Sequence, residues 1–341
     1  MNTLFNKLLT EQQIHPVLID IGASGGQYPT IWNDIAKQSV YVGFDPDSRE
    51  LHELPPGTFY KGTIVNEAVT SEATGKPIPI YLTHSPYCSS TLQPDTAALE
   101  NYVFSNLFEV VDKTEATATT LATVSERLKL QALDWLKVDT QGTDLRLFTS
   151  LPDQLRGSVL AIDVEPGLID AYQGEDLFIE AQRELRRQGF WLSNLIINGT
   201  VRVKRSSLAQ VMNRTDIEYG EAGQYLKNSP GWCEARYLRT IEYLVANNAS
   251  AREYILLWGF ALLDNQLGFA LDVAVAYQQQ YPNDRHGQLL KDEAARLIRE
   301  AFQTKPQQTA IAASSESMKT MIKRWLPQPL KTQLKKLLGR S

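Results

Sequence analysis

Residues 17–26, VLIDIGASGG, constrain this chain more than any other stretch. Val17, Leu18, Ile19 and Ile21 surround Asp20, and glycines follow at 22, 25 and 26. Tyr28, Ile31, Trp32 and Ile35 then recur at helical spacing, and Pro29 stands where a first helical turn begins. Strand, glycine turn and helix in that order predict the first unit of a doubly wound α/β sheet. In such sheets the ligand sits over the carboxyl ends of the strands, and glycine lets it press against bare backbone.

Two phosphate-binding patterns fail at this turn. G-x-G-x-x-G needs glycine where Ser24 stands, and G-x-x-x-x-G-K-[ST] needs a lysine that does not follow. What remains is Asp20-x-Gly22-x-x-Gly25, then a second apolar run over 40–44 that ends in Asp45. An acidic residue at that strand end is placed to accept hydrogen bonds from two ribose hydroxyls. Carboxylates in place of a cationic cradle fit a nucleoside that carries positive charge, such as S-adenosylmethionine. A nicotinamide dinucleotide and a purely structural turn are the alternatives. The expected cofactor contacts are Asp20, Gly22, Ala23, Ser24, Gly25, Asp45, Pro46, Ala68 and Asp139.

At 341 residues the chain has ample length for a real core, and its 43% apolar and 21% charged composition is ordinary for a globular protein. A net charge of −5 gives no reason to expect nucleic acid as a partner. Cys88 and Cys233 make neither a disulfide framework nor a zinc site, and no metal is expected. No run reaches the length of a membrane span, and the first sixteen residues lack the apolar core of a signal peptide. A cytoplasmic, soluble protein is the expectation.

Further strands are predicted over 59–65, 108–117, 134–139, 158–165, 190–198 and 234–239. Helices are expected over 1–16, from Pro46 to about 54, over 96–107, from Leu121, and over 175–188 with Gly189 closing the last. Gly75-Lys76-Pro77, between 68–70 and 78–83, predicts a hairpin-like extension, and Asn198-Gly199 predicts a tight turn into 200–204. Past Thr240 the pattern becomes helical, with one helix pair joined near 265–268. The chain is therefore divided into a domain at 1–240, a helical extension at 241–303, and a linker and basic tail at 304–341. Seven cations and no acid fall in 318–341; removing these seven from the net −5 leaves residues 1–317 at −12. A basic amphipathic segment of this kind predicts peripheral membrane contact, with docking on the protein's own acidic body as the alternative.

The glycine turn, Asp45, the stretch 66–69 (NEAV), the block 136–142 (LKVDTQG) and the strand at 158–165 occur in an order that resembles the FkbM family of S-adenosylmethionine-dependent methyltransferases. The resemblance covers about residues 15–240. It implies a Rossmann-like class I methyltransferase fold, an α/β architecture with a seven-stranded, mostly parallel sheet. It also implies O-methylation of a hydroxyl on a saccharide or small natural product. The family pattern carries Glu at the positions held here by Gln141 and Asp144, and Gln cannot act as a base.

A hydroxyl acceptor must lose its proton to a group within hydrogen-bond reach. The candidates are Asp139 and Glu165 at strand ends, with His84 in the polar loop 84–92 as runner-up. Asp163 is a further candidate: in an extended strand it shares a face with Glu165, and their repulsion is expected to raise one pKa. Lys137, in a strand expected to be buried, is expected to pair with one of these acids. The competing reading is a non-catalytic module of the same fold, recruited to a membrane or partner by its C-terminal helices.

Overall fold

The computed structural model describes residues 3–23, 28–46, 54–72 and 75–304. Eleven strands are described: β1 (Val17–Ile21), β2 (Val40–Phe44), β3 (Lys61–Val65), β4 (Ala68–Val69), β5 (Ile78–Thr83), β6 (Val110–Ala116), β7 (Ala118–Thr119), β8 (Trp135–Val138), β9 (Ala161–Val164), β10 (Phe190–Val201) and β11 (Asn228–Arg239). Seven form one sheet in the order β10-β11-β9-β8-β1-β2-β3. Its first five strands in the chain run parallel, while β11 is antiparallel to both β9 and β10. This is the seven-stranded, mostly parallel α/β sheet expected from the sequence. The strand order reverses between β1 and β8, and a doubly wound sheet opens a crevice at that reversal.

All five residues of β1 are buried, as in a strand covered on both faces. Ile19, Ile21, Val42, Leu136 and Val138 pack on one face with Leu147, Phe148 and Leu185. The alternate residues take the other face. There Trp135 meets Phe260 with ring centroids 4.8 Å apart and Trp32 at 6.0 Å. Phe260 belongs to the helix Ala251–Leu263, in which residues 254–262 are all buried. A capping box between Ser250 and Glu253 starts that helix. Arg252 then anchors it to the sheet through Asp134, at 2.6 Å, and Asp134 also accepts from the Val17 N–H. The expected boundary at 240 coincides with the switch from strands to helices, and packing continues across it. Residues 1–296 form one compact unit; of 297–341, only 297–304 are described, where the helix His286–Gln303 ends.

Four local expectations change. The helix after the first glycine turn is instead two short 3-10 turns, Thr30–Trp32 and Ala36–Gln38. The Ser39 hydroxyl bonds the Ile35 carbonyl there and competes with a helical ladder. The hairpin expected over 68–83 does not form: β4 pairs in parallel with β7, and β5 pairs antiparallel with β6. Each finds its partner across the chain, out of reach of a local pattern. Only Thr96–Leu99 of the expected helix 96–107 is α-helical, followed by the 3-10 turn Ser105–Phe108. Finally, β10 runs straight through Asn198-Gly199 with a register shift. A Cβ at Gly199 would collide with the Ser229 carbonyl, so this glycine serves close strand approach, not a turn. The helix expected after Pro46 falls mostly on 47–53 and the basic tail on 318–341; both lie outside the described residues. Among the described residues no helix is long and apolar enough to cross a membrane.

Candidate active site

A hollow of about 1230 Å³ opens over the carboxyl ends of β1, β2, β8 and β9. One wall is formed by Gly22, Asp45, Pro46 and Ala68. Asp139 and Glu165 also line it, and the loops 85–91 and 167–175 with the β5–β6 arm complete the lining. Single small-ligand sites usually measure about 300–1,000 Å³. This hollow therefore has room for two small molecules together.

Gly22 makes the first wall possible. Its φ is +83°, and a Cβ there would collide with the Asp139 carbonyl oxygen. The turn after β1 thus presses directly on the end of β8. The N–H groups of Gly22 and Ala23 both bond the Phe44 carbonyl, which ties the same turn to β2.

Asp20 is 1% exposed and is not among the described residues that line the hollow. Its Oδ2 accepts from the Tyr41 hydroxyl at 3.0 Å, and its Oδ1 lies 3.1 Å from Lys137 Nζ. Lys137 also donates to the Gly22 carbonyl at 3.3 Å and lies 3.8 Å from Asp139 Oδ2. Burial works against the ammonium, but Asp20 and Asp139 outweigh it and hold its pKa above the ordinary lysine value. Lys137 thus pairs with Asp139, one of the acids expected, and more closely with Asp20. Asp20 acts beneath the floor, by fixing the cation that steadies Asp139. Of the expected cofactor contacts, Gly22, Asp45, Pro46, Ala68 and Asp139 line the hollow. Ala23 is buried beside it, and Ser24 and Gly25 lie outside the described residues.

Asp139 is held on its second oxygen by Gln141, whose Nε2 donates to Oδ1 at 2.8 Å. Gln141 reaches back because its φ is +55°, a left-handed conformation followed by Gly142 at +110°. Its Oε1 lies 3.1 Å from the Tyr172 hydroxyl, which is also 2.8 Å from the Cys88 carbonyl. Gln141 therefore links the end of β8 to both loops across the hollow.

Asp144 is 2% exposed and bonds the Thr140 N–H, the Thr140 hydroxyl at 2.6 Å and the Glu165 N–H at 2.7 Å. It locks the ends of β8 and β9 together. Burial, then the charge of Asp139, pushes its pKa to about 6 against those hydrogen bonds. Glu165 is pushed further, to about 8, by burial and then by Asp139, Asp144 and Glu234, with Lys137 opposing. Glu175, which the sequence did not single out, is raised to about 7 by burial; it accepts from the Ala171 and Tyr172 N–H groups. Those bonds fold the loop 168–176 over the hollow. The wall on that side is aromatic, with Phe108 against Tyr172 at 5.6 Å and Phe104 stacked on Trp232 at 6.3 Å.

Two candidates lie elsewhere. His84 is exposed, is not among the described lining residues, and contributes its N–H to the Glu109 carbonyl. Asp163 pairs with Arg236 at 2.6 Å and accepts from Trp135 Nε1 at 3.0 Å, on the face covered by the C-terminal helices. Burial, then Asp139, Asp144 and Glu234, raise the Glu165 pKa, so the expected Asp163–Glu165 repulsion is not its main cause. Among the described residues no group of three or more His, Cys, Asp or Glu is placed to hold a metal.

Compared with known proteins, the sequence matches the family model described as "Methyltransferase FkbM domain" over residues 20–192. A solved structure similar to it is a TehB-like SAM-dependent methyltransferase from Corynebacterium glutamicum, 10% identical, covering 69% of this chain and 87% of that one with a TM-score of 0.28. Comparison with curated proteins gives no match.

Proposed function

The chain belongs to the FkbM methyltransferase family, and we propose that it methylates a hydroxyl of a saccharide or small natural product with S-adenosylmethionine as donor. The observation that carries this reading is the carboxyl of Glu165, without a partner among the described residues, in a hollow large enough for donor and acceptor together.

The residues present fit such a donor. Lys137, beneath the hollow, is already neutralised by Asp20 and Asp139, so it does not repel a cation bound beside Asp139. Gly22 leaves the backbone bare where a side chain would intrude. Gly22, Asp45, Pro46, Ala68 and Asp139 would hold the donor, with Asp45 at the end of β2 accepting from ribose hydroxyls. When bound, S-adenosylmethionine supplies an electrophilic methyl group on a sulfonium. The chain's own work is positioning and proton removal. Lys137 and Gln141 brace the Asp139 carboxyl against the hollow. Glu165 takes the acceptor's proton. The aromatic wall and the loop folded by Glu175 exclude water.

Calorimetry with S-adenosylmethionine, and release of S-adenosylhomocysteine across a panel of glycans and small hydroxylated metabolites, test the proposal. Donor binding without turnover on any acceptor would instead support a non-catalytic module. Gln141, neutral where the family carries an acid, is the observation that keeps that second reading in view. For the tail we propose peripheral contact with anionic membranes, supported by its seven cations and absence of acids.

A further inference from the structure

Three carboxyls lie close together at the ends of β8 and β9, and their surroundings differ: Asp139 and Glu165 line the hollow, and Asp144 is buried. Asp139 is bonded by Gln141 and flanked by Lys137. Asp144 accepts three hydrogen bonds. The Glu165 side chain has no hydrogen-bond or ion-pair partner among the described residues, and it lines the hollow. The groups that face it are mostly negative or neutral: Asp139 from the end of β8, Asp144 from the helix Asp144–Thr149, Glu234 and Cys233 from β11, and Tyr172 from the loop over the hollow. The one cation facing it among the described residues, Lys137, is committed to Asp20 and Asp139.

We infer that Glu165 carries a proton while the hollow is empty and releases it when a sulfonium donor binds, so that the base exists only in the loaded enzyme. This rests on the donor reading above. The supporting electrostatics are simple. A carboxyl among carboxylates keeps its proton, and a fixed positive charge brought into the same low-dielectric space reverses the balance. Burial and the neighbouring carboxylates push the Glu165 pKa to about 8, which favours the protonated form at neutral pH.

The consequence for turnover closes without a further reactant. Glu165, ionised by the donor's charge, accepts the acceptor's hydroxyl proton. The acceptor oxygen bonds the methyl carbon, and the sulfur keeps the electron pair of the broken bond. One cation and one carboxylate become a neutral thioether and a neutral acid. The product complex therefore holds the proton on Glu165, and the cycle restarts with a protonated site. Gln141 suits this device, because an acid at that position would add a further charge beside Asp139.

The test is to count protons. The full-length protein is titrated at pH 7 with S-adenosylmethionine and, separately, S-adenosylhomocysteine, in buffers of different ionisation enthalpy. The two ligands share amine, carboxylate and nucleoside and differ by one methyl and one positive charge. Wild type should release more protons with the first ligand than with the second, the difference a measurable fraction of one proton per site. Glu165→Gln should bring that difference close to zero while binding S-adenosylhomocysteine within a few-fold of wild type, which also shows that it folds. Glu234→Gln removes one of the neighbouring charges and should shrink the difference. It decides the matter alone if Glu165→Gln loses ligand binding. Equal proton counts for the two ligands in wild type, or an undiminished difference in Glu165→Gln, would overturn the inference and leave the donor assignment standing. Absence of binding by either ligand would remove the donor assignment and this inference together.

Discussion

The Lys137 ammonium lies 3.1 Å from Asp20 Oδ1 and 3.8 Å from Asp139 Oδ2, so one cation serves a carboxylate beneath the hollow and another in its wall. Removing it strands Asp20, which is 1% exposed. Lys137→Met should therefore lose about 3–5 kcal/mol in denaturant unfolding, the range for breaking a buried pair by one partner. The Lys137→Met, Asp20→Asn double variant should recover part of that loss. Wild-type stability in the single variant would refute the pairing.

Glu165 separates chemistry from binding. Glu165→Gln should reduce kcat by about 10²–10⁴-fold, the usual contribution of a positioned base. Affinity for S-adenosylhomocysteine should change only a few-fold.

The same variant carries a pH signature. Folded Glu165 holds its proton up to about pH 8, whereas in the unfolded chain it ionises near its ordinary value of 4.5. Its raised pKa thus favours the folded state fully below the unfolded value, and that contribution fades as pH climbs through the window to about 8. Wild type should lose thermal stability relative to Glu165→Gln between pH 5 and 8.5, by about 2–6 °C in Tm. Parallel Tm profiles for the two proteins would contradict this.

At Asp144 the expectation is structural. Asp144→Ala leaves the Thr140 and Glu165 N–H groups without their acceptor in a closed setting. A loss of about 2–4 kcal/mol should follow, accompanied by weaker ligand binding because both strand ends are released. Asp144→Asn, which keeps acceptor oxygen, should lose less.

Gly22→Ala sets a methyl against the Asp139 carbonyl at a φ of +83°. It should weaken S-adenosylhomocysteine binding at least about tenfold and destabilise by about 1–3 kcal/mol. A fully active alanine variant would show that the turn has more room than the geometry gives it.

Deletion of residues 318–341 should abolish co-sedimentation with anionic liposomes and leave any methyl transfer intact. Undiminished liposome binding by the truncated chain would place the contact elsewhere.

The parallel strands were legible because each is a short apolar run with few alternatives: residues 17–21, 40–44, 135–138 and 161–164 lie within the stretches expected. The glycine turn and its acidic neighbours likewise announced where the hollow would be. Pairing at long range was not legible. No local window shows that β5 belongs to β6, and the turn at Gly75 looks the same whichever partner is found. Registers were equally hidden. Asp20, Lys137 and Asp163 sit side by side on β1, β8 and β9, so Lys137 had a carboxylate on either hand. Arg236 of β11 claims Asp163, and Lys137 is left to turn towards Asp20. Asp20 therefore supports the site from beneath it, a role that a motif cannot express. Glu175 escaped notice because its importance lies in two backbone N–H groups of a loop that has no pattern.

The helix Ala251–Leu263 carries a practical warning for anyone who would prepare the methyltransferase portion alone. The family match stops at residue 192, yet Phe260 of this helix covers Trp135 in the central strand, and Asp264 at its end holds Arg236. A fragment trimmed to the matched region would bare Trp135 and strip Asp163 of Arg236, and one trimmed at residue 240 would still bare Trp135 and take Asp264 from Arg236. Such a fragment should be insoluble for reasons unrelated to its chemistry, and its inactivity would teach nothing about the intact enzyme.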